Sequence, residues 1–326
     1  MRAIVLESYG GPEVLTLRTV PDPEPGPDEA VVDIVATALN RADLLQRRGF
    51  YPGPPMTHEI PGMELSGRVS AVGARVTAVA VGDEVMAIVG GGSYAERIAV
   101  HERQLVTVPD GVATADAAAI PEAFITAFDA LVVQGGLTAG RTALVHAGAS
   151  GVGTAAIQIA KAIGASIVVT ASAGKAEACR DLGADAVVDY VNEDFVEAAK
   201  AATRGVGVDV VLDVIGGDYV DRNIDSVRVG GRIIQVGVMG GGKATVDVGK
   251  LLPKRAALIG TVLRPRPIEE KVAVTRRFAA ELAPLFARGT LRPVIDSRYP
   301  LESVAEAHER MEANTNVGKI ILDVQP

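Results

Sequence analysis

The sequence predicts an α/β protein, a doubly wound parallel sheet joined to a second, mostly β domain, and three observations carry that prediction. Beyond about residue 121, runs rich in Val and Ile ("TALVHAG", "SIVVTAS", "DAVVDY", "VDVVLDVIGG", "GRIIQVG") alternate with helical patterns such as "VGTAAIQIAKAIGA" and "KAEACRDLGA". Continuous apolar strands separated by helices belong to a parallel sheet covered on both faces. Before residue 120 the apolar segments are short, alternating and punctuated by Gly and Pro ("AIVL", "EAVVDIVA", "LSGRVSAVG", "DEVMAIVGGGSYAERIAV"), which reads as β structure. Finally, 326 residues exceed one ordinary core and fit about two domains. We therefore expect a mostly β domain at 1–120 completed by 265–326, and a parallel α/β domain at 121–264.

Within the first domain, "PDPEPGPDE" is a rigid surface turn between strands rather than a linker, because it is short and Pro-rich. The tail after Arg264 carries one amphipathic helix pattern, "EEKVAVTRRFAAELAPLFARG", and a final strand, "GKIILDV", that returns to the first domain.

Composition narrows the function. With 48% apolar and 22% charged residues and 36 glycines the chain is globular and rich in tight turns. A net charge of −8 argues against a nucleic-acid partner, and the short basic clusters "QRRG" and "LRPRP" read as solvated surface. No apolar run approaches the roughly 20 residues that span a membrane, and the start "MRAIVLESYG" lacks a signal-peptide core. Cys179 is the sole cysteine, which rules out an internal disulfide and a cysteine-rich structural zinc site. A cytoplasmic location is expected.

The most informative stretch is "TALVHAGASGVGTAAIQIAKAIGA". A strand at 142–146 runs into Gly148, Gly151 and Gly153, and apolar residues at Val152, Ala155, Ala156, Ile159, Ala160 and Ile163 follow at helical spacing. Glycines ending a strand let the backbone approach a pyrophosphate, and the N–H groups and dipole of the next helix favour its negative charge. Ser150 stands where the usual Rossmann fingerprint has its second glycine. About twenty residues on, "VVTASAGK" offers no Asp or Glu for a ribose 2'-hydroxyl but does offer Ser172 and Lys175, a hydroxyl and an ammonium suited to a 2'-phosphate. NADPH is therefore expected over NADH. Tyr190, ending the third strand, is either a cover for that phosphate or a packing residue.

With these pieces placed, "GGPEVL", "ALNRADLLQRRGFY", "AAAIPEAFITAF", "HAGASGVGTAAIQ", "VMGGG" and "EANTNVGKIIL" together resemble the medium-chain dehydrogenase/reductase superfamily. Within it, they resemble the zinc-independent, zeta-crystallin-like NADPH:quinone oxidoreductases, over essentially the whole chain. The resemblance implies a GroES-like catalytic domain beside the Rossmann domain. It places Asn40 beside the nicotinamide ribose, Thr126 near the reactive end of the cofactor, and Ser150, Gly151, Val152 and Gly153 on the pyrophosphate. It assigns Ser172, Lys175 and Tyr190 to the 2'-phosphate and Val238, Met239 and Gly240 to the nicotinamide side, with Asn316 closing over the cofactor and Leu263 and Arg264 near the pocket. It also implies a homodimer built on the apolar edge "AALIGTVL" at 256–263.

In zinc-dependent relatives a cysteine ligand stands at the position of Asn40 and a histidine at that of Met63, so no catalytic metal is expected. Without a Lewis acid, the acceptor must itself be electrophilic, and quinones or activated alkenes qualify because the arriving charge is delocalised. Positioning and hydrogen-bond donors remain available to the protein. Tyr51 is a candidate proton donor, protonated at neutral pH, or an aromatic lid over substrate; Ser150 is a second, weaker donor. The leading expectation is NADPH-dependent quinone reduction. Reduction of an enoyl thioester, and a cofactor-binding structural or regulatory protein with little turnover, are the alternatives.

Overall fold

The alternating segments of the first hundred residues fold into short antiparallel strands in the computed structural model, which describes residues 1–325. Strands β1 (Arg2–Leu6) and β2 (Leu15–Thr19) form a two-stranded ribbon. Strand β3 (Glu29–Ala38) pairs antiparallel with β4 (Glu64–Val72), which pairs with β5 (Glu84–Ile88). The ladder continues through β6 (Arg97–His101), paired with β3, and β7 (Val106–Thr107), paired with β5.

The Val- and Ile-rich runs then form β8 (Thr142–Val145), β9 (Ser166–Ala171), β10 (Ala186–Asp189), β11 (Val208–Asp213), β12 (Val227–Gln235) and β13 (Ala257–Gly260). All pair in parallel, in the order β10-β9-β8-β11-β12-β13. The chain winds outward from β8 in both directions, so β8 and β11 flank the topological switch point at which ligands bind in such sheets. Leu144, Val168, Val211, Ile233 and Phe195 are buried at its core.

The tail departs from expectation. Its single predicted helix is two, Ile268–Glu281 and Ala283–Ala287, because Pro284 has no N–H for the helical ladder and its ring clashes with the preceding turn. Beyond them lie a strand, β14 (Ile295–Pro300), and a helix, Val304–Glu312, that the pattern did not reveal. The last strand, β15 (Lys319–Asp323), pairs parallel with β14 and antiparallel with β3, completing a sheet in the order β14-β15-β3-β4-β5-β7. Tyr94, Leu65, Val32, Leu301 and Ile320 lie in its core. The chain thus divides into one unit of Met1–Ile125 with Arg264–Pro326 and another of Thr126–Leu263. The boundary at 125/126 falls inside the helix Pro121–Phe128, and the one at 263/264, after β13, puts Arg264 in the first unit.

Candidate active site

In the Thr126–Leu263 unit, parallel pairing brings the C-terminal ends of the strands to one edge, and most of the predicted binding residues lie there. After β8 the chain turns through Ala147, held at φ +57, a left-handed conformation that costs a non-glycine residue of order 1 kcal/mol. Ser150 then caps the helix Gly151–Ala162: its Oγ accepts the Gly153 N–H at 3.0 Å. The serine that breaks the glycine fingerprint is therefore an N-cap, a position that prefers Ser. Gly153 has to be glycine, since a Cβ would stand 2.3 Å from the Ala147 carbonyl oxygen. Ser172 closes β9 and precedes the short turn Ala173–Lys175; Tyr190 follows β10 and is half exposed. After β12, Val238 and Met239 are half exposed on a loop tied back to the end of β11, with the Met239 N–H on Val214 O at 3.1 Å and the Gly240 N–H on Ile215 O at 2.7 Å. Thr126 is buried in its helix, and Leu263 follows β13.

In the other unit, Asn40 starts the helix Arg41–Arg47, and its N–H is accepted by the Asp43 carboxyl at 2.8 Å, half of a capping box. Both ends of its carboxamide are engaged. Nδ2 donates to Glu64 Oε1 at 2.9 Å, and Oδ1 accepts from Lys319 Nζ at 2.5 Å. Lys319 also reaches Glu64 at 2.7 Å and the Leu39 carbonyl at 2.7 Å, and both charged side chains are buried. The second Glu64 oxygen accepts the N–H of Glu122 at 2.8 Å, in the first turn of the helix Pro121–Phe128, where the helix dipole favours negative charge. One ammonium thus serves a crowd of carboxyls. Burial, and then the charge of Glu64, push Glu122 up to about 8; burial pushes Asp43 up to about 6, and its Oδ1 has no hydrogen-bond partner among the described residues.

Arg264 fastens the loop that carries Tyr51. It donates to Gly90 O at 2.5 Å, Tyr51 O at 3.1 Å and Gln46 Oε1 at 2.7 Å, and its guanidinium lies 4.9 Å from the centre of the Tyr51 ring, within cation–π range. Burial raises the Tyr51 phenol above its ordinary value, which keeps its proton in place at neutral pH. Asn316 is buried and donates to Gly318 O at 2.9 Å.

The structure gathers Asn40, Tyr51 and Arg264 in the first unit and Ser150–Gly153, Ser172, Lys175, Tyr190 and Val238–Gly240 along the sheet edge of the second. Sequence reading missed Lys319, Glu122 and Tyr94. The buried Tyr94 hydroxyl donates to Asp43 at 3.2 Å. Lysine inside the apolar run "VGKIILDV" was the visible signal for Lys319; nothing local marked the other two. Among the described residues, no group of His, Cys, Asp and Glu is arranged to hold a metal ion.

Comparison with known proteins places this architecture. A family profile described as "Alcohol dehydrogenase GroES-like domain" matches residues 26–110, and one described as "Zinc-binding dehydrogenase" matches residues 182–322. The human "Synaptic vesicle membrane protein VAT-1 homolog" is 32% identical over 340 residues, spanning 99% of this chain and 86% of that protein. A "Quinone oxidoreductase" of Pseudomonas aeruginosa is 35% identical over 327 residues, spanning 98% of this chain and 99% of that one. The crystal structure of Escherichia coli quinone oxidoreductase complexed with NADPH superposes with a TM-score of 0.89 at 30% identity, covering 99% of this chain and 100% of that one. Fold and site together define an oxidoreductase. The chain belongs to the medium-chain dehydrogenase/reductase superfamily, where it is similar to quinone oxidoreductases.

Proposed function

We propose that this protein is an NADPH-dependent, zinc-free reductase that transfers hydride to quinones. The observation that carries the reading is the fate of the metal position. Asn40 offers a carboxamide where zinc-dependent relatives offer a thiolate, and that carboxamide is locked onto the Lys319 ammonium at 2.5 Å. A cation beside a neutral amide, with a Met63 thioether in place of the second ligand, is the wrong donor set for zinc. The cofactor reading is supported by the glycine turn, by Ser172 and Lys175 at the end of β9 without an acidic residue, and by relatives whose structures contain NADPH.

The residues of the second unit fit such a cofactor. The N–H groups that open the helix Gly151–Ala162 would hold its pyrophosphate, and Ser172 and Lys175 its 2'-phosphate. Bound there, NADPH supplies the hydride. In the first unit the Lys319–Glu64 pair holds Asn40, Arg264 holds the Tyr51 loop, and the Tyr51 hydroxyl would give a proton to a reduced carbonyl oxygen. A homodimer is proposed on the edge strand β13, where Leu258 and the following Val262 are about half exposed; light scattering coupled to size-exclusion chromatography would report a monomer if this is wrong. Among the described residues no helix is long and apolar enough to cross a membrane, and a cytoplasmic location is part of the proposal.

The deciding test follows NADPH consumption optically with an ortho-quinone, a para-quinone and an enoyl-CoA, with NADH as control. Fast turnover of a quinone with NADPH is expected. Faster turnover of the enoyl-CoA would move the protein to alkene reduction, and tight NADPH binding without turnover would favour the non-catalytic alternative.

A further inference from the structure

We propose that Thr170, His146, Asn223 and Asp213 form a positioning relay that sets the turn after β8 and the loop after β11 in register, so that both halves of a dinucleotide are gripped together. The proposal rests on the NADPH reading above and deepens it. His146, Asn223 and Asp213 are fully buried, and Thr170 nearly so.

The polarity of the relay follows from one end. Asp213 Oδ2 accepts from Asn223 Nδ2 at 2.8 Å, which turns the carboxamide oxygen toward His146 Nε2, 2.7 Å away. That nitrogen therefore carries the ring proton. Burial lowers the His146 pKa, so the ring is neutral and Nδ1 is bare. Nδ1 accepts from the Thr170 hydroxyl at 3.2 Å, and the same hydroxyl oxygen accepts the N–H of Ala147, also at 3.2 Å. Ala147 is the left-handed residue that starts the glycine turn.

At the other end, Asp213 Oδ1 accepts the N–H groups of Ile215 at 2.6 Å and Gly216 at 3.0 Å. The loop so held is stitched to the segment after β12 through Val214, Ile215 and Gly217, whose partners are Met239, Gly240 and Gly241. An unbroken hydrogen-bonded path thus runs from the pyrophosphate turn to the proposed nicotinamide side, beneath the switch point between β8 and β11. A histidine that served only to fill the core would need its ring contacts, 4.7 Å to Phe195 and 4.8 Å to Tyr219. It would not need both nitrogens committed with a defined sense.

The test compares two ligands by titration calorimetry: NADPH, which needs both loops, and adenosine 2',5'-bisphosphate, which needs only the adenosine side. Asn223→Ala should weaken NADPH about tenfold, the effect of one buried hydrogen-bonded link, and leave the bisphosphate unchanged. The double variant Asp213→Asn with Asn223→Asp rebuilds the same pair with amide and carboxylate exchanged, and should recover most of the loss. Should Asn223→Ala not fold, the isosteric Thr170→Val removes the hydroxyl that joins His146 Nδ1 to the Ala147 N–H and should weaken NADPH more than the bisphosphate, whose 5'-phosphate meets only the turn after β8. Parallel loss of both ligands, unchanged NADPH affinity, or no recovery in the exchanged pair overturns the relay. A wild-type protein that binds neither ligand overturns the cofactor assignment and the relay's role with it.

Discussion

In the first unit Asn40 rests on a buried ion pair, Lys319 and Glu64 at 2.7 Å, whereas in the second the glycine turn rests on hydroxyl, imidazole and carboxamide groups that end on Asp213. Both networks hold a short polar segment still beneath a candidate site. They differ in what a single deletion leaves behind. Removing one member of the ion pair strands a full charge away from water, while removing the Thr170 hydroxyl strands only the His146 ring nitrogen and the Ala147 N–H that it joined. The first unit is therefore built to keep one electrostatic arrangement, and the second to keep one hydrogen-bond direction.

The largest expected effect separates these designs. Glu64→Gln leaves the Lys319 ammonium without its counter-charge and should cost about 3 to 5 kcal/mol in urea unfolding. Adding Lys319→Met should cost less than the sum of the two single changes, because the residues share one interaction; additive losses would dissolve the pair as a unit. Next, Tyr51→Phe should lower kcat about a hundredfold if the phenol donates a proton, with stability almost unchanged. Equal kcat and KM in the variant would reduce Tyr51 to a lid.

The pH dependence of the two units should run in opposite directions. Glu122 is raised to about 8 from an ordinary 4.5, so the folded state keeps a proton that the unfolded state releases. Stability should then fall as pH rises between these values, by up to about 1.4 kcal/mol per pH unit, and Glu122→Gln should flatten that slope. His146 is lowered, so its contribution is present above the ordinary histidine value and is lost as pH falls below it. Urea unfolding from pH 5 to 9 measures both limbs, and a slope that survives in Glu122→Gln would place its origin elsewhere. The smallest effect is expected from Ser150→Ala, which removes one helix cap and should cost about 1 kcal/mol.

What could be read in the sequence was local. The glycine turn and the strand runs of the parallel sheet each lie within a short window, where periodicity and residue type report directly on backbone geometry, whereas the reading of Asn40 and Met63 came only through the family resemblance. The pairings that give those windows their chemistry are remote. Lys319 meets Asn40 across 279 residues, and His146 meets Asn223 across 77; no pattern along the chain announces either. Ser150 shows the limit from the other side: it read as a flaw in a glycine fingerprint because its capping bond to Gly153 exists only once the helix has formed. The tail was under-read for a related reason, since β14 is short and mostly part-exposed and draws its order from its neighbour.

Lys319 also sets a schedule. A ribosome adding about 5 to 20 residues per second releases Asn40 and Glu64 roughly 15 to 60 s before Lys319 exists. The Thr126–Leu263 unit is contiguous and complete before then, so it can fold while the first unit waits, its carboxylate still hydrated, for the last strand to arrive. The part of the protein that is born first is finished last, and through that interval a nascent chain exposes the apolar faces of β3 and β4 to whatever chaperones attend it.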